Sequence, residues 1–335
     1  MAAPTPTITP IQNGDSGLSV RTSLNRVLTT YGNDNTFISG SHAEGYYTQA
    51  IGEGSHAEGQ STITFGDFSH AEGQSTQVSG SYSHAEGSFT QATGYSSHAE
   101  GNNTTASGSY SHAEGQSTIT FGDFSHAEGN STQTIGSYSH AEGNSTQAFG
   151  EGSHAEGYIT TASGSYSHAE GDSTTASGSY SHAEGYFTQT FGDFSHAEGN
   201  STQTIGSYSH AEGNSTKAIG FASHAEGTLN QAIGDYSHAE GQGIIASGSY
   251  QHASGLYNTQ GDDTSLFIVG NGIDDFNRSD AFKVRMSGSI ILPVTSSNTP
   301  SWTGTQGEMI LGDDGSGNFV IWAYLGGQWR SGSLF

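Results

Sequence analysis

Histidine and glutamate, two residues apart, are the side chains here with the most chemistry to offer. They sit in the pentapeptide Ser-His-Ala-Glu-Gly, which first appears at Ser41–Gly45 and returns every 14 residues. All 16 histidines of the chain belong to it, from His42 to His252, and the Glu column runs from Glu44 to Glu240 before giving way to Ser254. On an extended strand, residues i and i+2 share a face, so each pair is presented together. Three chemistries suit such a pair: a hydrogen-bonded polar ladder, ligation of a divalent cation and acid–base catalysis. Catalysis uses one cleft with an unequal set of pKa values, and a uniform array offers none, so no enzymatic activity is expected. Two ligands per repeat are few for a metal, although three chains around a common axis would bring three His and three Glu to one level. The polar ladder is therefore preferred. Metal ligation is kept behind it, and no cofactor is expected.

A strict period must be read as a stack of identical units. Each 14-residue unit has two similar halves, with Thr-Gln-Ala-x-Gly (Thr48–Gly52) following Ser-His-Ala-Glu-Gly at a spacing of seven. The heptad is not a coiled coil, because each unit carries two glycines and no apolar seam. Short segments ended by Gly read as strands and turns. One coil is two strands and two turns, and about 15 coils at ~4.8 Å give a rod of roughly 70 Å. Parity then sets the faces. Ser41, Ala43 and Gly45 point inward with Thr48, Ala50 and Gly52, while His42 and Glu44 point outward, as do Gln49 and Ile51. The unbroken Thr column from Thr48 to Thr216 resembles that of ice-binding solenoids, but parity buries it. An aromatic residue stands two places before the histidine at eleven of the fifteen positions from Gly54 to Tyr250. This column predicts a stacked ladder sealing one turn, a packing surface before a carbohydrate-binding stripe.

Composition excludes several classes of function. With 7 Lys+Arg against 32 Asp+Glu the formal charge is −25, which excludes a basic groove for nucleic acid and polybasic docking to lipid. There is no cysteine. Met1–Gln12 has neither the basic nor the apolar region of a secretion signal, and no run reaches 18 apolar residues. Residues 1–34 are expected to form an attachment or trimerisation arm whose helix, over Leu18–Tyr31, carries Val20, Leu24, Val27 and Leu28 on one stripe. Beyond the shaft at 35–255, residues 256–292 predict a β-rich transition with strands at Ser265–Val269 and Ala281–Met286. Pro293–Ser301 reads as a linker opening a C-terminal β tip at 293–335. The tip holds Trp302, Trp322 and Trp329, and a hairpin is expected at Asp313–Asn318; the calcium-loop alternative lacks the necessary Glu.

The alternating Ser-x-Ala-x-Gly and Thr-x-Ala-x-Gly units resemble the head repeats of YadA-like trimeric adhesins, in the SHAEG variant of phage tail-fibre proteins. Phe267–Gly288 resembles the element following such heads, and Gly14–Asn25 the N-terminal region of phage tail fibres. The resemblance implies an all-β, left-handed parallel β-roll solenoid assembled as a homotrimer, with aliphatic residues commonly where this chain has His and Glu. His42, Glu44, His56, Glu58, His70, Glu72, His84, Glu86, His98, Glu100, His112 and Glu114 would then line a polar trimer core. The secretion signal, stalk and membrane barrel of autotransporters are not found in this sequence.

The expected function is that of a non-enzymatic trimeric virion fibre, a rigid spacer and adhesin. Its N-terminus would meet a tail, baseplate or capsid protein. Its tip would meet a host receptor or glycan through Trp302, Trp322, Tyr324 and Trp329. A bacterial cell-surface or secreted trimeric adhesin is the alternative, with metal- or ice-binding solenoids behind both.

Overall fold

The computed structural model describes residues 36–37, 40–292, 294–295, 306, 309–313 and 319–333. The helix expected over Leu18–Tyr31, with Val20, Leu24, Val27 and Leu28, lies outside them, as does Trp302. Among the described residues there is no helix, and the chain is an all-β parallel solenoid of about sixteen coils. It divides into two compact units, Met1–Phe194 and Ser195–Phe335.

In the first unit each coil contributes a five-residue strand, such as His98–Asn102, and a two-residue strand, such as Thr105–Ala106. Both pair in parallel with their counterparts one coil on, in unshifted register: His98 with His112, Ala99 with Ala113, Glu100 with Glu114, Gly101 with Gly115. Unshifted register stacks like on like. Inside the coil every residue is small. Ala99, Ala106 and Thr104 are fully buried, and Ser97 nearly so. Some buried hydroxyls find partners on the backbone, Ser97 Oγ donating to Gly94 O at 2.8 Å and Thr118 Oγ1 to Gly129 O at 3.2 Å, whereas Thr104 Oγ1 is buried without a hydrogen-bond partner. The Thr column is thus interior, as parity requires, and offers no outer face to ice.

Gly101 explains why one column admits only glycine. It has φ +117°, and a Cβ there would lie 2.1 Å from the carbonyl oxygen of Gly115. The two corners of each coil are less obvious. Asn103 and Ser117 occupy one with φ near +58° and +56°, while Tyr110 and Phe124 occupy the other with φ +57° and +55°. Left-handed backbone is unfavourable for L-residues by roughly 1–2 kcal/mol each. Here each such amide donates to the preceding coil, as from Phe124 N to Ser109 O at 2.8 Å, so the ladder offsets the strain. The aromatic column corrects the expectation of a sealed turn. These rings stack at 5.0–5.1 Å in the run Tyr110, Phe124, Tyr138, yet each stays more than half exposed. A side chain at the left-handed position of a turn projects from the corner, so it cannot cover the interior.

The second unit repeats the coil through His252–Leu256 and then changes. Ser265–Asn271 adds one more parallel rung, pairing Phe267 with His252, Ile268 with Ala253, Val269 with Ser254 and Gly270 with Gly255. Asp280–Arg285 then lies antiparallel to it and ends the parallel ladder. Near this end Lys283 Nζ sits 3.0 Å from Asp262 and 2.6 Å from Asp280, with Thr259 Oγ1 at 2.9 Å. The expected strands at Ser265–Val269 and Ala281–Met286 are both present within a residue or two. The expected hairpin is present as well, with Met309–Asp313 antiparallel to Phe319–Leu325. Gly326 and Gly327, both at positive φ, turn the chain into a third strand, Gln328–Ser333. One correction concerns the linker over Pro293–Ser301: its β-branched Val294–Thr295 pairs in parallel with Leu311–Gly312, joining this small sheet as a fourth strand.

Candidate functional site

The strand register decides where the histidines go. Each His and Glu of a five-residue strand points away from the buried Ala between them, so both columns lie on one outer face of the coil. In the first unit the imidazole rings follow one another at 4.7–5.0 Å, close to the rung spacing, and His98 and His112 are nearly parallel at 6°. His42, His56, His70, His84, His98 and His112 therefore form one continuous column, edge-on at His42/His56 and stacked from His70 to His112, with Glu44, Glu58, Glu72, Glu86, Glu100 and Glu114 beside it.

The separation within each pair departs from expectation. Nε2 to Oε2 is 3.5 Å at His42/Glu44, 3.7 Å at His56/Glu58, 4.0 Å at His70/Glu72, 3.9 Å at both His84/Glu86 and His98/Glu100, and 3.8 Å at His112/Glu114. From His56 to His112 these distances exceed a hydrogen bond, and the Nε2 atoms of His56, His70, His84, His98 and His112 are shielded from solvent without a hydrogen-bond partner. The expected His–Glu hydrogen-bonded ladder is thus absent along this stretch within one chain. Ring-on-ring stacking covers each nitrogen and holds it just out of reach of its carboxylate.

Stacking also sets the charge. Burial, and then the neighbouring imidazoles His70 and His98, push the pKa of His84 below its ordinary value. Burial followed by the flanking histidines does the same at His56 and His112. The lowering favours the neutral form of these three rings, the state in which an imidazole can ligate a cation.

The pattern changes toward the C-terminal coils. Glu226 lies between two coils, its Oε2 3.6 Å from His224 Nε2 and its Oε1 4.0 Å from His238 Nε2. His252, whose own strand carries Ser254, faces Glu240 of the preceding coil at 3.8 Å. At the last parallel rung Phe267 takes the histidine position, 5.2 Å from the His252 ring, with Val269 at the glutamate position. Sequence reasoning missed this rung because it follows after 15 residues, not 14; the visible signal was Gly270 after Phe-Ile-Val.

In the small C-terminal sheet Trp322 is buried at 8% exposure, whereas Tyr324 and Trp329 are partly exposed and meet edge to face at 5.3 Å. Tyr324 and Trp329 are directly paired across adjacent strands, so these two form a joint, partly exposed surface, while Trp322, two residues before Tyr324 and on the same face by parity, is buried. No protein-family model matches the chain, and no curated protein matches it.

Proposed function

We propose that the chain is a non-enzymatic fibre protein that works as a trimer, a spacer and adhesin of a phage virion. In this reading it is a YadA-like, left-handed β-roll whose His/Glu columns from three chains face one another. The observation that carries the proposal is the outer face itself: one His–Glu pair per coil, repeated in unshifted register, with the Nε2 atoms of His56, His70, His84, His98 and His112 finding no hydrogen-bond partner within their own chain. Shielded polar atoms without partners are costly, and neighbouring chains would supply carboxylates to meet them. A surface repeated identically along its length suits a spacer, since it offers no unique cleft for turnover. The N-terminal region would dock on a tail, baseplate or capsid protein, and the partly exposed Tyr324 and Trp329 would contribute to contact with a receptor or glycan.

Two measurements test this. Light scattering should give about three times the 34.7 kDa chain mass, and a mass of one chain would refute the trimer. Antibody to residues 300–335 should label virions; label on bacterial surfaces alone would replace the virion fibre with a cellular adhesin.

A further inference from the structure

We propose that the ladder contains two discrete sites for a divalent transition-metal ion of the zinc type, His224–Glu226–His238 and His168–Glu170–His182. All three ligands of each come from one chain, so the inference does not rest on trimerisation. It replaces, at these two places, the expectation of hydrogen bonding alone.

The pairing along most of the array explains why only two places are singled out. Along most of the array a glutamate faces only the histidine of its own strand, as at His98/Glu100, giving two ligands. Among the described residues, only these two triads bring three ligand atoms within 4.8 Å of one another. At the first, Glu226 stands between consecutive imidazoles, 3.6 Å and 4.0 Å from their Nε2 atoms, and uses a different oxygen toward each. His224 Nε2 and His238 Nε2 are both shielded from solvent and accept no hydrogen bond, so a cation would displace nothing already bound there. Four ligands around zinc stand about 3.3 Å apart; the His224 and His238 rings are stacked at 4.7 Å and 7°, so closing the triad onto an ion requires the two rings to turn out of their stack toward each other.

Glu226 is also held in place from inside the coil. Where earlier coils carry Thr, this one carries Asn230, whose Nδ2 donates to Glu226 O and, at 2.7 Å, to Gly241 O, while its Oδ1 accepts from Ile244 N at 2.7 Å. The backbone bearing the carboxylate is therefore tied to the next coil. Two imidazoles with one carboxylate suit zinc, nickel or cobalt and are poorly matched to calcium or magnesium, which prefer all-oxygen shells.

Calorimetric titration of the full chain with zinc chloride, with calcium chloride in parallel, tests the proposal. Two zinc ions per chain should bind and no calcium. Glu226→Gln should remove one site, and Glu170→Gln in addition should remove both, each weakening zinc affinity on the order of tenfold or more. Circular dichroism melting without metal checks that the variants fold. Diethyl pyrocarbonate labelling of the unaltered chain gives a second readout, in which zinc should protect His224 and His238 and leave His98 reactive. The proposal is overturned by the absence of saturable zinc binding. It fails equally with a stoichiometry near one ion per histidine that ignores the Gln pair, or with equal labelling of all three histidines.

Discussion

The coils that carry His and Glu, and the final parallel rung that carries Phe267 and Val269, share one pairing pattern. Both pair in parallel, both bury the residue between the two outward positions, and both close with glycine. The outward residues nevertheless differ completely, and inside the rung Ile268 replaces alanine. Folding of the coil therefore constrains the glycine and the size of the inner residue; it leaves the outer pair free. The uniformity of the His/Glu columns needs a reason beyond folding, which is association between chains in the proposed function and ion binding at two of the rungs.

Substitutions can break this comparison, and the glycine column should suffer most. In Gly101→Ala the new methyl would meet Gly115 O at 2.1 Å on a backbone with φ +117°, so a loss of more than about 4 kcal/mol is expected, seen as a collapse of the thermal transition. Ile268→Ala empties the fully buried inner position of the last rung and should cost about 2–5 kcal/mol. The reverse change, Ala99→Ile, overfills a coil where alanine is already at zero exposure and should cost about 1–3 kcal/mol. Chemical denaturation measures both. His112→Phe with Glu114→Val copies the last rung onto a middle coil, and its monomer stability should change by less than about 1 kcal/mol. A large loss would show that the outer pair supports the coil itself.

A pH titration sharpens the comparison with a smaller effect. The folded pKa values of His56, His84 and His112 lie below the unfolded value, through burial first and neighbouring imidazoles second. The unfolded chain then takes up protons first, so stability is complete above about pH 6.5 and declines as pH falls through that value. The antiparallel end behaves differently. Burial opposes ionisation of Asp262, but hydrogen bonds from Lys283, Thr264 and Ser265 outweigh it and hold the carboxyl well below its usual range. Its contribution persists until the pH drops below about 4. Hydrogen exchange followed against pH should show the coils loosening before the Asp262–Lys283 end; simultaneous loosening would contradict this ordering.

Much of the coil was legible because a 14-residue period and strand parity leave little choice. Ala and Thr had to be inside, and they are; of the two glycine columns, Gly52 and Gly66 are buried as expected, whereas Gly45 and Gly241 are exposed. The corners were not legible, since Tyr110 and Phe124 at positive φ contradict ordinary local preference and are tolerated only through amide bonds to the preceding coil. The rung at Phe267 was hidden by one extra residue, and Val294–Thr295 by its short length and the nearby prolines. At the site, the outward face could be read from alternation alone. The 3.5–4.0 Å gap between His and Glu could not, because it depends on how stacked rings fix their side-chain rotations. Nor could the convergence of two histidines on Glu226, which lies in a repeat almost identical to its neighbours.

The claim that the outer columns serve association is tested most directly by the mass of the particle in solution. Light scattering on the full chain should give about three times 34.7 kDa. The same measurement on a chain with His84, His98, His112, Glu86, Glu100 and Glu114 all changed to Ser should shift toward the mass of one chain while circular dichroism keeps the strand signal. A single-chain mass for the unaltered protein, or an unchanged trimer after those six changes, would contradict the account.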